Sequence, residues 1–318
     1  MGAEILTVAT SARRLWELVH RPIGHALAEL DGGPHEFRLG GGTVLAARWH
    51  HRNSFDIDLV VERSVPLSEL ANPSNSFDLM MRALGGAPEY FRRQCTVTFP
   101  SGQIDLLQVD PVPPGAEHLA VVDGTPTLVL DTAQILHGKL ERADKIVVRD
   151  VFDLIKAAEL DPHALATAVN CRSRRETEIV AATFEEANAA LGRDAPHQLV
   201  GTGEINDPET LGTQAAAAIR GAVYRHVTVR TEGPLGVVET TTNSGTARRI
   251  KMTKTEIERK LAESGLMEHL SAGAFGAHRI RRALEDACAR GTGDQIVWET
   301  GSRPLSGERD GRAPDQGM

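Results

Sequence analysis

Aromatic side chains are scarce, at 4% of a 318-residue chain with three Trp, two Tyr and eight Phe. A base-stacking platform of Phe and Tyr is therefore excluded as the main working surface, and aliphatic residues must build the core. Cysteine is nearly absent. Cys95, Cys171 and Cys288 are odd in number and far apart, which leaves no disulfide ladder and no CxxC metal site and reads as reduced thiols in a cytoplasmic protein. No apolar run approaches the ~18 residues that a membrane helix needs. The N-terminus also lacks an apolar leader, so no membrane association is expected. Basic excess is missing as well: 35 Lys and Arg stand against 43 Asp and Glu, a net charge of −8. That balance excludes a uniformly basic nucleic-acid binder but leaves room for a local basic patch. What is present is ordinary for a globular protein, 41% hydrophobic and 25% charged residues, over a length that suits two compact domains.

Helical spacing of Leu15, Trp16, Leu18, Val19, Ile23, Leu27 and Leu30 predicts a first helix from an N-cap at Ser11 to Leu30, closed by Gly32-Gly33-Pro34. An extended Glu36-Phe37-Arg38-Leu39 runs into Gly40-Gly41-Gly42-Thr43, a brief helix follows over 44–49, and Phe55 to Glu62 alternates as a strand. A helix over 76–84 precedes a hairpin of Phe91–Phe99 and Gln103–Val109 around Pro100-Ser101-Gly102, and a short strand lies near 127–130. Asp131 is expected to cap a helix reaching Ala143, and the stripe Val151, Phe152, Leu154, Ile155 and Ala158 marks another over 149–160. Helices continue through 175–191 and 208–220 to a hairpin with strands 224–230 and 237–242. Two more helices are expected at 253–269 and 274–290, the first opened by a Thr253/Glu256 capping box, and the Gly-, Ser- and Pro-rich end from Gly301 reads as a disordered tail.

The chemistry concentrates in Gly40-Gly41-Gly42-Thr43 and, thirteen residues after Gly42, Phe55-Asp56-Ile57-Asp58-Leu59. Carboxylates at i and i+2 of a strand share one face, where they repel unless a cation compensates. Mg²⁺ (or Mn²⁺) suits them, being held by one or two carboxylates together with substrate phosphates. Asp105, isolated between Ile104 and Leu106 on a later strand, completes a trio if the two strands pair. Glycine backbone can approach phosphate closely, and the free N–H groups of a helix opening at Thr43 offer an anion site.

These residues carry a resemblance. Gly41-Gly42-Thr43 followed by Arg52-Asn53-Ser54-Phe55-Asp56-Ile57-Asp58 resembles the signature of the DNA polymerase β-like nucleotidyltransferase superfamily. Its Arg-x-Ser-x-Asp-x-Asp form is similar to the AbiEii family, the toxins of bacterial abortive-infection and MenT-type toxin–antitoxin systems. A second block also resembles that family: Lys139 on the helix after Asp131, and Arg149-Asp150-Val151-Phe152-Asp153-Leu154 for its Arg-Asp-x-x-Asp-Leu motif. The resemblance covers roughly residues 10–190 and departs from the pattern in the long loop before Phe55, which holds His50-His51. By resemblance Lys139 and Asp150 are active-site residues. Read physically, Lys139 and Arg142 lie one turn apart and suit a triphosphate, and Asp150 and Asp153 share a helix face from which they can orient those cations. Arg52 and Ser54, with Gly41, Gly42, Thr43 and Arg142, complete the nucleotide-binding set.

The resulting expectation is an α+β polymerase β-like core with a mixed twisted sheet (1–130), a helical domain closing the cleft (131–222), a C-terminal hairpin and helices (223–300) and the tail (301–318). Its activity would be transfer of a nucleoside monophosphate from an NTP to an acceptor, with Asp56, Asp58 and Asp105 holding the metal. The resemblance implies tRNA, at its 3′ end, as acceptor, blocked translation or phage defence as outcome, and a cognate antitoxin as partner. Eight basic against four acidic residues between Gly221 and Lys260 give a local patch suited either to RNA or to plain solvent. No specific DNA binding is expected. Two alternatives stay open: a small-molecule acceptor such as an aminoglycoside, or a protein hydroxyl, on the same core; and a nonenzymatic module that binds nucleotide or a partner.

Overall fold

The computed structural model describes residues 3–72, 75–110, 112, 116–145, 147–172, 174–199, 207–232, 235–253 and 296–299. The first half alternates strands and helices: β1 (Glu4–Leu6), α1 (Thr10–Ala28), β2 (Arg38–Gly40), α2 (Gly41–Trp49), β3 (Ile57–Glu62), α3 (Ser76–Ala83), β4 (Ala87–Phe91), β5 (Gln94–Phe99), β6 (Gly102–Val109), β7 (Glu117–Val122) and β8 (Thr125–Leu130). Six helices follow, α4 (Thr132–Glu141), α5 (Val148–Leu160), α6 (Pro162–Asn170), α7 (Arg174–Glu186), α8 (Asn188–Gln198) and α9 (Leu211–Ala222). After them come β9 (Tyr224–Glu232), β10 (Leu235–Thr242), β11 (Ala247–Thr253) and β12 (Ile296–Glu299).

β1 to β8 form one mixed sheet in the order β1-β7-β8-β2-β3-β6-β5-β4, and β9 to β12 a separate antiparallel sheet in the order β11-β10-β9-β12. The fold is thus α+β, a mixed sheet followed by a mainly helical region. The large sheet is two-sided by residue parity. Leu39, Ile57, Leu59, Val61, Ile104, Leu106, Ala120, Val122 and Val129 are almost completely buried, on the face over which α1 lays Leu15, Trp16, Val19, Ile23 and Leu27. Each such side chain removed from water contributes about 2 kcal/mol, which fixes the register because a one-residue slip would turn the whole set outward. The opposite parity carries Arg38, Asp58 and Asp105, together with Gly40 and the apolar Val60 and Leu107. α2 ties the halves together, touching β1, β2 and β3 on one side and α4 and α5 on the other.

Several expectations shift in detail. α1 begins one residue before Ser11, with Ala9 as an N-cap that makes no side-chain bond, and ends at Ala28. β3 starts at Ile57, so Asp56 stands just before the strand rather than within it. Asp131 does stand at the N-cap of α4, but its carboxylate does not bond the helix; it pairs with His118 Nδ1 at 2.7 Å. β1, β4, β7, β11 and β12 were not foreseen. β1 is three residues long, and β4 contains Pro88, which only an edge strand accommodates. Thr253 closes β11, whereas Glu256, the helices expected at 253–269 and 274–290, Cys288 and the tail from Gly301 lie outside the described residues. Cys95 and Cys171 are free thiols.

Candidate active site

The site grows from the β2–α2 turn. Gly40 pairs with Asp58 across the antiparallel β2–β3 ladder, and α2 then starts at Gly41 with φ +62. That left-handed conformation favours glycine, and space demands it too: a Cβ on Gly41 would lie 1.7 Å from Asp58 Oδ2. A Cβ on Gly42 would lie 2.1 Å from the Arg52 guanidinium. Thr43, 1% exposed, donates its hydroxyl to the Asp56 carbonyl and shares a 3.0 Å hydrogen bond with the buried Ser54 hydroxyl. These bonds fix the segment that leads to the acids.

β3 and β6 run parallel, and in their register Asp58 is the direct neighbour of Asp105. Both therefore point to the polar face, side by side. Asp105 is oriented by three donors: Thr96 Oγ1 at 2.6 Å, Gln94 Nε2 at 2.8 Å and Gln103 Nε2 at 2.8 Å. Asp56 accepts from Arg149 Nη1 at 2.9 Å. Burial, chiefly, lifts the Asp58 carboxyl above its ordinary range; Asp105 and Asp56 push the same way, against Lys139 and Arg142.

A second cluster stands behind this one. Asp153 of α5, with 0% exposure, accepts from Arg52 Nε at 2.7 Å and Nη2 at 2.9 Å, from His51 Nε2 at 2.7 Å, and pairs with Lys139 at 2.9 Å. Burial opposes its charge, yet Lys139, Arg52 and His51 together hold the carboxyl well below its usual range. Lys139 also pairs with Asp150. Burial works against the Lys139 ammonium, but Asp153 and Asp150 outweigh it and keep the charge on. Arg142 is different: it is the half-exposed C-cap of α4, with only a 3.6 Å contact to Asp150.

A cleft of ≈ 440 Å³ opens beside Asp58. Gly41, Asp58, Val60, Leu107 and Val109 form its sheet side, Leu130 and α4 the other, and Arg142 its rim. That volume is in the range for a nucleotide-sized ligand. Among the described residues, no three His, Cys, Asp or Glu side chains are gathered as a ready metal-holding group. Asp56 is turned to Arg149, and Asp105 to its three donors. The donor set itself fits a hard divalent cation: it is all oxygen, and a cation would offset both the burial that chiefly lifts Asp58 and the smaller push from Asp105 and Asp56.

Of the residues singled out by sequence, Asp58 and Gly41 meet at the cleft end, Asp105 stands beside Asp58 on the neighbouring strand, Gly42 lies against Arg52, and Asp56 is one residue before β3. Lys139, Asp150 and Arg52 join in the cluster behind, and Thr43 and Ser54 are buried in the connecting turn. Asp153, His51, Arg149, Gln94, Thr96 and Gln103 form the rest. Two of them carried a local signal. Gln103 stands two residues from Asp105 and so shares its face, and Asp153 lies three residues beyond Asp150 on the same helix. No helix among the described residues is long and apolar enough to cross a membrane.

The family model described as nucleotidyl transferase AbiEii toxin, type IV toxin–antitoxin system, matches residues 25–221. No curated protein matches the chain. The matched span runs from the second half of α1 to the end of α9 and contains every residue of the two clusters.

Proposed function

The chain belongs to the AbiEii family of nucleotidyl transferase toxins of type IV toxin–antitoxin systems, and from that footing we propose that it transfers a nucleoside monophosphate from an NTP to a tRNA 3′ hydroxyl. The observation that carries this reading is the register that sets Asp58 beside Asp105 against Gly41 at the mouth of the cleft.

In this proposal the acceptor oxygen forms a bond to the α-phosphorus while the bond to the bridging oxygen breaks, and pyrophosphate leaves. Asp105, aimed by Thr96, Gln94 and Gln103, takes the hydroxyl proton. Asp56, Asp58 and Asp105 would hold Mg²⁺ or Mn²⁺, which supplies charge neutralisation around the reacting phosphate. The Gly41 and Gly42 backbone receives the phosphates, and Arg142 offers them its guanidinium from the rim. Lys139, 3% exposed, acts from beneath by balancing Asp58, Asp150 and Asp153. Thr43, Ser54 and Arg52 hold the turn in shape. Because the groups are fixed before substrate arrives, little reorganisation is left for the transfer itself.

An RNA acceptor is supported by Arg248, Arg249 and Lys251, all exposed on β11. An antitoxin partner and a cytoplasmic setting follow from the family reading.

The test is a transfer assay with each labelled NTP and Mg²⁺ against deacylated tRNA, total protein and an aminoglycoside. Label on tRNA is expected. Label on the small molecule or on protein alone replaces the acceptor, and absence of pyrophosphate release with every acceptor replaces the enzyme by a binding module.

A further inference from the structure

We infer that the cleft face of α4 is a nucleobase subsite that decides which NTP is used, with Gly138 as the space the base occupies and Gln134 as the side chain that reads its edge. The inference rests on the nucleotidyl-transfer reading and deepens it.

Gly138 lies inside α4, where glycine weakens a helix relative to alanine. Nothing among the described residues asks for it. Its backbone is ordinarily helical, and a Cβ built there meets no atom of the described residues within 4 Å. Gly212 shows the contrast: there a Cβ would lie 2.1 Å from the Phe184 carbonyl, so packing excludes one. The empty space over Gly138 is the cleft itself.

Across that space Val60, Leu107 and Val109 present an apolar floor from the sheet. A smooth glycine surface facing an apolar floor makes a slot for a flat ring. Gln134, one turn earlier, shares the helix face of Gly138 and also lines the cleft. Its half-buried carboxamide makes no hydrogen bond within the described residues. It offers donors and an acceptor side by side, the pair that recognises a base edge.

The spacing fits a nucleotide. Eight residues separate Gln134 from Arg142, ~12 Å along the helix at about 1.5 Å per residue. Arg142 acts electrostatically on Asp58 at the reacting end. A base at Gln134 and a phosphate at Asp58 therefore span the cleft.

The experiment uses the full chain with Mg²⁺ and measures dissociation constants for the four NTPs and for inorganic tripolyphosphate, which lacks a base. Gly138→Leu, a change that favours the helix, is expected to weaken NTP binding at least tenfold and to leave tripolyphosphate binding as it was. Gln134→Glu is expected to change the ratio of kcat/KM between the best and second-best NTP by tenfold or more, at an unchanged melting temperature. Gly138→Leu binding NTPs like the parent, or losing tripolyphosphate equally, overturns the subsite. So does an effect confined to the KM for the acceptor. Loss of nucleotide binding and transfer in the unmodified protein instead removes the nucleotidyl-transfer reading beneath it, so the two failures are separable.

Discussion

Arg52 grips Asp153 through two nitrogens, at 2.7 and 2.9 Å, across 101 residues of chain. The pair joins the loop before β3 to the middle of α5, and Lys139 and His51 converge on the same carboxylate. One buried anion thus holds three cationic or polar groups from two other segments. Removing it leaves Arg52 and Lys139 charged and enclosed, the situation that costs about 3–5 kcal/mol when one member of a buried pair is deleted. Asp153→Asn is expected to lose stability on that scale in urea unfolding, whereas Asp150→Asn, at a partner that is 19% exposed and whose Lys139 retains Asp153, costs about 1 kcal/mol. Equal losses for the two would show that Asp153 is not the hub.

Asp58 is a group with the opposite sign. Its folded pKa lies above the ordinary 3.8, mainly through burial, so ionising it works against the fold. Stability therefore falls as pH rises from the ordinary carboxylate range through the raised value, and the penalty is complete above it. Asp58→Asn removes that penalty at pH 7. The variant is expected to melt higher than the parent by the equivalent of about 0.5–2 kcal/mol, the usual span of a stabilising change. The gain should fade on acidification toward and below the ordinary 3.8, because the raised value favours the neutral parent carboxyl there, and nucleotidyl transfer should be lost. A variant less stable than the parent at neutral pH, measured by calorimetry, would mean that Asp58 ionises without strain.

Much of this arrangement was legible because it is written in short spacings. The strand alternation around Ile57, Leu59 and Val61 and the isolated Asp105 gave both acids and their shared face. The glycines were legible as a close-approach turn, though the reason for Gly41, a carboxylate where its Cβ would go, is a tertiary fact. Partner choice was the unreadable part. Arg149 stood in the sequence only as the first residue of its motif, yet its nitrogen reaches Asp56, 93 residues away. His51 looked like loop polarity, and it stacks on Phe152 with centroids 5.7 Å apart while reaching Asp153. Asp131 had the sequence position of a cap and took His118 instead. Each of these depends on which segments the fold brings together, and local spacing does not carry that information.

The Arg149–Asp56 contact makes a prediction about cation demand. Both side chains are partly exposed, 39% and 30%, so the pair adds little to stability, on the order of 0.5 kcal/mol. In the proposed reaction, however, Asp56 must turn from Arg149 to the divalent cation. Arg149→Ala is expected to lower the Mg²⁺ concentration for half-maximal activity about threefold, with the melting temperature nearly unchanged. A requirement for more Mg²⁺ would mean that Arg149 helps to assemble the cation site instead of competing for it.

Gly41 sets the narrowest tolerance among the described glycines. Its φ of +62 places it where an L side chain is strained by about 1–2 kcal/mol. Any Cβ would also have to displace the Asp58 carboxylate, 1.7 Å from where it would stand. The carboxylate is the soft partner, because the backbone of the turn is held by the β2–β3 ladder and by Thr43 on the Asp56 carbonyl. Gly41→Ala should therefore fold, with a loss of about 1–2 kcal/mol, while Asp58 swings out of line with Asp105. Misplacing one charged group in a preorganised site costs about 100-fold or more in kcat. KM for the NTP should rise as well, because the Gly41 backbone receives the phosphates, but by less than kcat falls, since the α4 side of the cleft is untouched. Steady-state kinetics beside a thermal melt separate the two effects, and a Gly41→Ala variant with parental kcat would show that the Asp58 position is not what the turn protects.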